Sequence, residues 1–268
     1  MRNFKLEEKY ESLTLCRSGR LLTITLNQPE TLNAVGEVMH EELANVFYDA
    51  AVDPHSDVIV LTGAGRAFSA GGDVDLFEEM IQSPEVFEKI GYEAKRIVYS
   101  ILDCEKPIIA KVNGHATGLG ATIALLSDVI FASERAKIGD PHVRMGFVAG
   151  DGGAGLWPQL IGFARAKEYL LTGDLMTAQQ AAQIGLINYA VPEGELDEAV
   201  EKFADRMLSG ATKAIRWTKT AVNIELKRVL HSTMDASVAM EALSNITLDH
   251  KEAVQAFKEK REPLFGGQ

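Results

Sequence analysis

The chain has 268 residues, of which 46% are hydrophobic and 24% charged, and its formal net charge is −11 at pH 7. This size allows one large domain, or one domain with a helical extension, and the acidic balance argues against a nucleic-acid partner. No apolar run reaches the ~20 residues of a membrane span, and the charged segment 1–11 lacks the apolar core of a secretory signal. Cys16 and Cys104 have no metal-ligand spacing and are expected to be buried, reduced thiols. These features predict a cytoplasmic protein that binds neither nucleic acid nor membrane.

Strand and helix patterns alternate through the first half of the chain. Apolar alternation predicts a β-hairpin from strands at 12–16 and 21–26. The patterns that follow are a helix at 36–52, a strand at 58–62, helices at 74–81 and 84–102, a strand at 107–112, a helix at 121–126 and a strand at 129–132. This alternation predicts βαβ units and a mainly parallel sheet.

Helical patterns dominate the second half of the chain. Helices are predicted at 156–171 and 177–184, a short strand at 186–191, and then helices at 195–208, 211–230, 234–246 and 250–260. The apolar faces of the last four helices must be buried against the body of the same subunit or against a neighbouring subunit.

Two glycine-rich turns are the strongest candidates for a functional site. The strand at 107–112 runs into VNGHATGLG, and a helix opens directly after it. The first N–H groups of a helix lack internal partners and lie at the positive end of its dipole, so this turn can hold an anion or an oxyanion. A turn that only packs a strand against a helix explains the same spacing equally well. The second turn, LTGAGRAFSAGGD, occupies residues 61–73.

Together these two turns closely resemble the crotonase (enoyl-CoA hydratase/isomerase) superfamily. The resemblance covers nearly the whole chain, and it includes ARAKEYLLTGDLMTAQQAAQIGLIN at 164–188 and AFKEKREPLF at 256–265. It implies an α/β fold in which a spiral of ββα units at 1–200 precedes a C-terminal helical trimerisation region at 201–268. It also implies a homotrimer or a dimer of trimers that acts on an acyl-CoA thioester. Coenzyme A is then part of the substrate, and neither a tightly bound cofactor nor a metal is expected.

The resemblance assigns binding roles by position. The backbone N–H groups of Gly72 and Leu119 would form an oxyanion hole that stabilises an enolate. Ala70 would lie near the adenine of CoA. Phe257 and Lys260 would reach the CoA of a neighbouring subunit, although Lys260 is equally compatible with a solvated surface charge.

The acid–base residues depart from the pattern of the superfamily. Its hydratases commonly use two glutamates, and here the matching positions hold Thr122 and His142. Thr122 can position water or substrate but cannot exchange protons near neutral pH, whereas the ordinary pKa of a histidine, ~6.5, suits His142 to that work. Asp151 follows in the same loop and is expected to orient the imidazole. The stretch 139–162 resembles the β-diketone hydrolases, such as 6-oxocamphor hydrolase, in which a His/Asp pair activates water for C–C cleavage.

The predicted function is therefore an acyl-CoA enzyme in which His142 and Asp151 activate water or transfer a proton while Gly72 and Leu119 hold the oxyanion. The alternatives are C–C bond hydrolysis of the β-diketone type and ordinary 2-trans-enoyl-CoA hydration. Asp151 as a nucleophile, as in aryl-CoA dehalogenases, and a non-catalytic acyl-CoA-binding or RNA-associated relative are also open.

Each singled-out side chain also has a structural interpretation. His142 would be a loop histidine bonded to backbone, and Asp151 a cap for the helix that follows it. Asp73 is expected to be structural at a loop-to-helix junction, and His115 to fill a turn. Glu241, on an amphipathic C-terminal helix, resembles an acid used in the β-diketone hydrolase branch, but a surface or structural role is the preferred expectation.

Overall fold

The computed structural model describes residues 6–268, so residues 1–5 of the charged N-terminal segment lie outside it. The strands within this range are β1 (Leu13–Ser18), β2 (Leu21–Leu26), β3 (Val58–Gly63), β4 (Ile108–Val112), β5 (Ala116–Thr117), β6 (Val129–Ser133), β7 (Lys137–Gly139), β8 (Met176–Thr177) and β9 (Tyr189–Val191). The helices are α1 (Glu37–Val52), α2 (Val74–Gln82), α3 (Pro84–Asp103), α4 (Leu119–Leu125), α5 (Gly153–Thr172), α6 (Ala178–Gln183), α7 (Leu196–Leu208), α8 (Thr212–Asn245) and α9 (Leu248–Glu259).

A six-stranded sheet in the order β1-β2-β3-β4-β6-β9 forms the scaffold. The hairpin of β1 and β2 is antiparallel, and every other neighbouring pair in this sheet is parallel. This arrangement confirms the predicted α/β fold with its mainly parallel sheet and C-terminal helical region. A second sheet, β5-β7-β8, consists of strands of two or three residues, which are too short to show a hydrophobic period in the sequence.

The two faces of β3 contact different layers of helices. Ile59 and Leu61 belong to the large core that contains α1 and α3, whereas Val58 and Val60 pack with residues of α7. Successive side chains of a strand point to opposite faces, so a strand covered on both sides is apolar at nearly every position. The sheet is therefore enclosed by helices on both faces, and its strand ends are the places left for a site.

The C-terminal helices differ from the sequence expectation in one respect. The helices predicted at 211–230 and 234–246 are a single continuous helix, α8. The residues between them include neither glycine nor proline, and the hydroxyls of Ser232 and Thr233 bond back to the carbonyl of Val229 instead of ending the helix.

The domain boundary predicted at 200/201 falls inside α7, and the division of the chain into two parts stays a prediction.

Two further expectations concern the burial of the two cysteines and the absence of a membrane-spanning segment. Cys104 is buried, but Cys16 is exposed, because it lies on the outward side of β1, the edge strand of the large sheet. Both thiols are free. Among residues 6–268, no helix is long and apolar enough to cross a membrane.

One buried amide holds the second glycine-rich turn in place. Asn33 is inaccessible to solvent, and its Oδ1 accepts a hydrogen bond from the Gln28 amide at 2.9 Å. Its Nδ2 donates to three carbonyl groups of that turn, those of Ala64, Ala67 and Phe68, at 2.9–3.2 Å. Asn33 also has a φ of 56°, a conformation that asparagine tolerates better than most residues.

We expect Asn33→Asp to destabilise the protein more than Asn33→Ala. The alanine variant leaves buried polar groups unpaired, which costs about 1–3 kcal/mol, whereas the aspartate variant also turns a carboxylate towards three carbonyl oxygens. Urea unfolding of both variants measures the difference. The exposed change Gln159→Glu is the matched control and should stay within about 0.5 kcal/mol of the parent. An Asn33→Asp variant as stable as the parent would contradict this role.

Candidate active site

Backbone hydrogen bonds fix the direction of the Gly72 amide. The Gly71 carbonyl accepts from the Val35 amide at 2.7 Å, and the Asp73 amide donates to the Val35 carbonyl at 3.2 Å. Since successive groups of an extended chain point to opposite sides, the intervening Gly72 N–H points away from Val35. Gly72 lines a cavity on that side.

The other glycine turn places the Leu119 amide beside this cavity. Leu119 is the first residue of α4, and it follows Gly118, whose φ is 53°. The two turns touch, because a side chain on Gly71 would lie 2.7 Å from the Thr117 carbonyl oxygen. Among residues 6–268, neither the Gly72 nor the Leu119 amide donates a hydrogen bond to another group. Two residues with unused N–H groups therefore line the same cavity, and one of them is at a helix start.

His142 lies directly beside the turn that ends in Leu119. The Gly118 amide donates to the Gly139 carbonyl at the end of β7, which ties α4 to the loop that carries His142. The Nδ1 of His142 donates to Asp140 in a close contact. The Nε2 lies 3.6 Å from Asp151 Oδ2, which is an ion-pair distance but too long for a hydrogen bond. Asp140, rather than Asp151, therefore fixes the orientation of the ring.

Two glycines make room for the buried carboxylates. A Cβ on Gly153 would lie 2.1 Å from Asp140 Oδ2, and a Cβ on Gly150 would lie 2.7 Å from Glu241 Oε2. Glu241 comes from α8, and only 7% of it is exposed. The expected surface role of Glu241 is therefore wrong, because α8 buries this position against the glycine-rich loop.

Two connected cavities meet at His142. The outer one has a volume of about 470 Å³ and is lined by Ala70, Gly72, His142 and Phe257 among others. The inner chamber, of about 40 Å³, is bounded by apolar side chains and by a polar set that comprises Gly72, Leu119, His142, Asp151, Glu241 and His40. A third hollow of about 530 Å³ between α3 and α8 includes neither glycine turn nor His142, so we place the reaction in the first two.

The inner chamber concentrates ionisable groups where water is scarce. Burial opposes the charge on His142, but the carboxylates of Asp140, Asp151 and Glu241 outweigh it and raise the pKa of His142 to about 10. Burial raises the pKa of Asp151, with His142 acting against this and Asp140 adding to it. Burial and the charge of Asp151 raise the pKa of Glu241 well above its usual range. His142 is therefore a cation at neutral pH, and Asp151 and Glu241 are the carboxyl groups that hold a proton most readily.

The remaining predicted residues lie in different places. Thr122 is fully buried against Gly152, lines neither of the two cavities, and its Oγ1 has no hydrogen-bond partner among residues 6–268. Phe257 lies on the wall of the outer cavity, but Lys260 ends α9 on the exposed surface.

The structure also shows how Asp73, His115 and Asp151 compare with the structural roles expected of them. Asp73 caps α2 by accepting from the Asp75 amide at 2.8 Å, as expected for a loop-to-helix junction. The exposed His115 accepts from the Lys137 amide at 3.0 Å, which suits a turn residue. The N-cap position of α5 is Gly152, one residue after Asp151.

Sequence reasoning missed three polar groups of this site. Asp140 was available as the residue two positions before His142, and the run of glycines at 150–153 was a signal that neighbouring side chains approach this loop closely. Neither His40 nor its buried partner Glu93 carries any local motif. Both lie within helical patterns, where a polar residue normally indicates the solvent side.

The cluster also has the composition of a cation site. Asp140, His142 and Asp151 offer ligand atoms that lie within 4.8 Å of one another. The Nδ1 of His142 is already used by Asp140, and a protonated ring repels a cation. The arrangement therefore fits proton transfer better than metal binding.

Comparisons with known proteins agree with this architecture. The family model described as Enoyl-CoA hydratase/isomerase matches residues 17–268. The chain belongs to the enoyl-CoA hydratase/isomerase family. This confirms the superfamily predicted from the glycine turns.

Relatives within the enoyl-CoA hydratase/isomerase family match over most of their length. A crotonyl-CoA hydratase from Syntrophomonas wolfei is 33% identical, covering 96% of this chain and 98% of the relative. The crystal structure of an enoyl-CoA hydratase/isomerase from Mycobacterium paratuberculosis has a TM-score of 0.89 at 36% identity, over 92% of this chain and 99% of that one. A β-diketone hydrolase from the cyanobacterium Anabaena, bound to (S)-3-oxocyclohexyl acetic acid, has a TM-score of 0.84 at 30% identity, over 92% and 98% of the two chains.

We expect His142 to stay protonated well above neutral pH. Its pKa of about 10 lies above the ~6.5 of an unfolded histidine, so its charge stabilises the fold fully below pH ~6.5, and this contribution is lost as the pH rises towards 10. NMR titration of the imidazole measures the pKa directly, and Asp140→Asn should lower it. The free energy of unfolding of His142→Gln should depend less on pH between about 6.5 and 10 than that of the parent. If His142 loses its proton at or below pH 7, the expectation that the neighbouring carboxylates keep its ring protonated is wrong.

Proposed function

We propose that this protein is an acyl-CoA enzyme that holds the thioester oxygen with Gly72 and Leu119 and handles water and protons with His142 and Asp151. The observation that supports the proposal is that Gly72, Leu119, His142 and Asp151 all line the same inner chamber. The outer cavity is the entrance from which a thioester would reach them.

The two amides supply the electrophilic half of the reaction. Neither N–H is used by another group among the described residues, and the Leu119 amide has the α4 dipole behind it. Negative charge that develops on a thioester oxygen is stabilised by such fixed donors, each of which typically contributes about 3–4 kcal/mol to the transition state. The side chain of Leu119 is not needed for this role, since the donor is backbone.

The proposed acid–base chemistry uses one proton donor, His142, and one carboxylate as the base. His142 is a cation, so its Nε2, which makes no hydrogen bond to a protein group within 3.5 Å among residues 6–268, acts as a proton donor. The base is the carboxylate of Asp151, or of Glu241 when Asp151 holds the proton. In hydration, the carboxylate takes a proton from water, the oxygen bonds to the β-carbon, the double-bond electrons move to the thioester oxygen as an enolate, and His142 returns a proton to the α-carbon.

C–C hydrolysis of a β-keto thioester is the second candidate. Its support is the match to the Anabaena β-diketone hydrolase together with the placement of Thr122, whose side chain lies outside the cavity wall. Here the activated water attacks the β-carbonyl carbon, and the bond between the α- and β-carbons breaks. Its electron pair becomes the enolate held by Gly72 and Leu119, which then takes a proton at the α-carbon.

The rest of the ligand and the assembly follow from the same proposal. Ala70 and Phe257 on the outer cavity would contact CoA, which enters and leaves as part of the substrate, and no tightly bound cofactor or metal is needed. Lys260 would reach the CoA of a neighbouring subunit.

We also propose a homotrimer or a dimer of trimers. The support is a set of exposed apolar side chains on and between α8 and α9, which includes Val222, Ile224, Leu243, Ile246 and Leu248.

We expect the choice between the two reactions to be visible in two assays. Loss of the conjugated absorbance of crotonyl-CoA reports hydration, and mass spectrometry of a ring β-ketoacyl-CoA, such as 2-oxocyclohexane-1-carboxyl-CoA, reports ring opening. Asp151→Asn and His142→Ala should each lower kcat by at least about 100-fold for the true reaction. If His142→Ala still turns over crotonyl-CoA robustly, the acid–base role assigned to His142 is wrong. A stable covalent adduct on Asp151 would instead indicate a nucleophile.

We expect Gly118→Ala to damage activity far more than Gly185→Ala. Both glycines have positive φ, at 53° and 81°, so alanine strains either backbone, by about 1–3 kcal/mol. Gly185 has nothing within 4 Å of an added Cβ and lies outside both cavities, whereas Gly118 sets the Leu119 amide and lies beside His142. Thermal melts should show similar losses of stability, while only Gly118→Ala should lower kcat/KM, by at least about tenfold. Equal kcat/KM values for the two variants would argue against the Leu119 amide as an oxyanion donor.

A further inference from the structure

We propose that His40, oriented by Glu93, is a further substrate-contacting residue that hydrogen-bonds an oxygen atom of the acyl group. The enzyme would then act on acyl-CoA thioesters whose acyl group carries a carbonyl or hydroxyl oxygen close to the thioester, in preference to plain hydrocarbon acyl groups. This inference rests on the proposed function and names its substrate class.

The first support is where His40 lies and how it is held. It comes from α1, is only 3% exposed, and lines the inner chamber together with His142, Asp151 and Glu241. Its Nδ1 is 2.8 Å from Glu93 Oε2. A carboxylate on Nδ1 keeps that nitrogen protonated and leaves Nε2 as the nitrogen that can serve a ligand. Among residues 6–268, the ring has no second hydrogen-bond partner.

The second support is the arrangement behind His40. Glu93, on α3, is 6% exposed, and its other oxygen lies 3.8 Å from Lys89 Nζ. Lys89 also binds Glu37 and Glu41 at the surface. The charge of the buried carboxylate is thus balanced from outside, as an orienting group requires.

Packing alone does not account for this buried polar pair. Helices α1 and α3 already share the apolar core, through residues such as Leu43, Phe47 and Ile97. A buried ionisable pair is often no more stable than apolar residues of similar volume, because desolvation offsets the attraction between its members. A pair that only joined two helices would therefore be a costly way to do so, whereas a pair facing a chamber has a chemical use.

The third support is the small size of the chamber and the four ionisable side chains, His40, His142, Asp151 and Glu241, on its otherwise mainly apolar wall. A volume of about 40 Å³ holds a few water-sized groups but no hydrocarbon tail. Burial raises the pKa of Asp151 and His142 acts against this, while His40 also lies within electrostatic reach of the same carboxyl group. A purely apolar acyl group would leave these buried polar groups unpaired, and sites of this kind discriminate strongly against such ligands.

Acetoacetyl-CoA and butyryl-CoA are the probes, because they differ chiefly by the oxygen on the β-carbon. The affinity of each is measured by calorimetry for the parent, His40→Phe, His40→Gln and Glu93→Gln. We expect His40→Phe to weaken acetoacetyl-CoA binding at least about tenfold and butyryl-CoA binding less than about threefold. His40→Gln should recover part of the loss, since it keeps a polar group. His55→Phe, at an exposed histidine, is the matched control and should change neither affinity.

The outcomes separate the inference from the proposed function. Equal losses for both ligands in His40→Phe would mean a structural role and would overturn the inference, while leaving the proposed function standing. If the variant does not fold, ¹⁵N shifts of the parent decide: the His40 Nε2 signal should move with acetoacetyl-CoA and not with butyryl-CoA, and an unmoved signal overturns the inference. If the parent binds and turns over no acyl-CoA, the proposed function fails, and this inference fails with it.

Discussion

The buried contact between His142 and Asp140 is the interaction on which the rest of the candidate site depends. Two further carboxyl groups, those of Asp151 and Glu241, line the same small chamber as His142. Negative charges so close together cannot all persist in a low dielectric. A histidine held by Asp140 supplies one positive charge, and burial raises the pKa of both Asp151 and Glu241, so each of them holds a proton more readily than an exposed carboxyl group. The acid–base capacity we propose is therefore a direct consequence of burial.

The glycines are the steric condition for that cluster. Gly153 and Gly150 leave space for Asp140 and Glu241, and Gly118 allows the turn that brings the Leu119 amide next to His142. The half of the site that holds an oxyanion is made of backbone, so it tolerates a change of side chain. The half that moves protons is made of side chains from the loop between β7 and α5 and from α8. Relatives of one fold can thus keep the first half and exchange the second, which is consistent with a family containing hydratases and with a structural neighbour that is a β-diketone hydrolase.

The sequence pointed to residues that lie in local motifs, and it did not point to residues that reach the site only through the packing of distant helices. Gly72 and Leu119 were singled out by the resemblance of their two motifs to the superfamily, and Asp151 because it shares a loop with His142. Glu241 and His40 approach the chamber only through the packing of α8 and α1, which no spacing along the chain reveals. The strands of the small sheet were missed for a different reason, since two or three residues cannot display an alternation.

The folded environment also reverses a role that was assigned from an ordinary pKa. Free histidine titrates near ~6.5 and would serve as a base at neutral pH, and the sequence offers no reason to expect otherwise. Once three carboxylates surround the ring, its pKa of about 10 keeps it protonated at neutral pH, so the ring carries a proton to donate and has no free nitrogen to accept one. In the reaction we propose, the proton from water goes to a carboxylate whose own affinity for protons is raised by the same burial. We infer that acid and base have exchanged identities relative to the sequence-based assignment, with His142 giving the proton and Asp151 or Glu241 taking it.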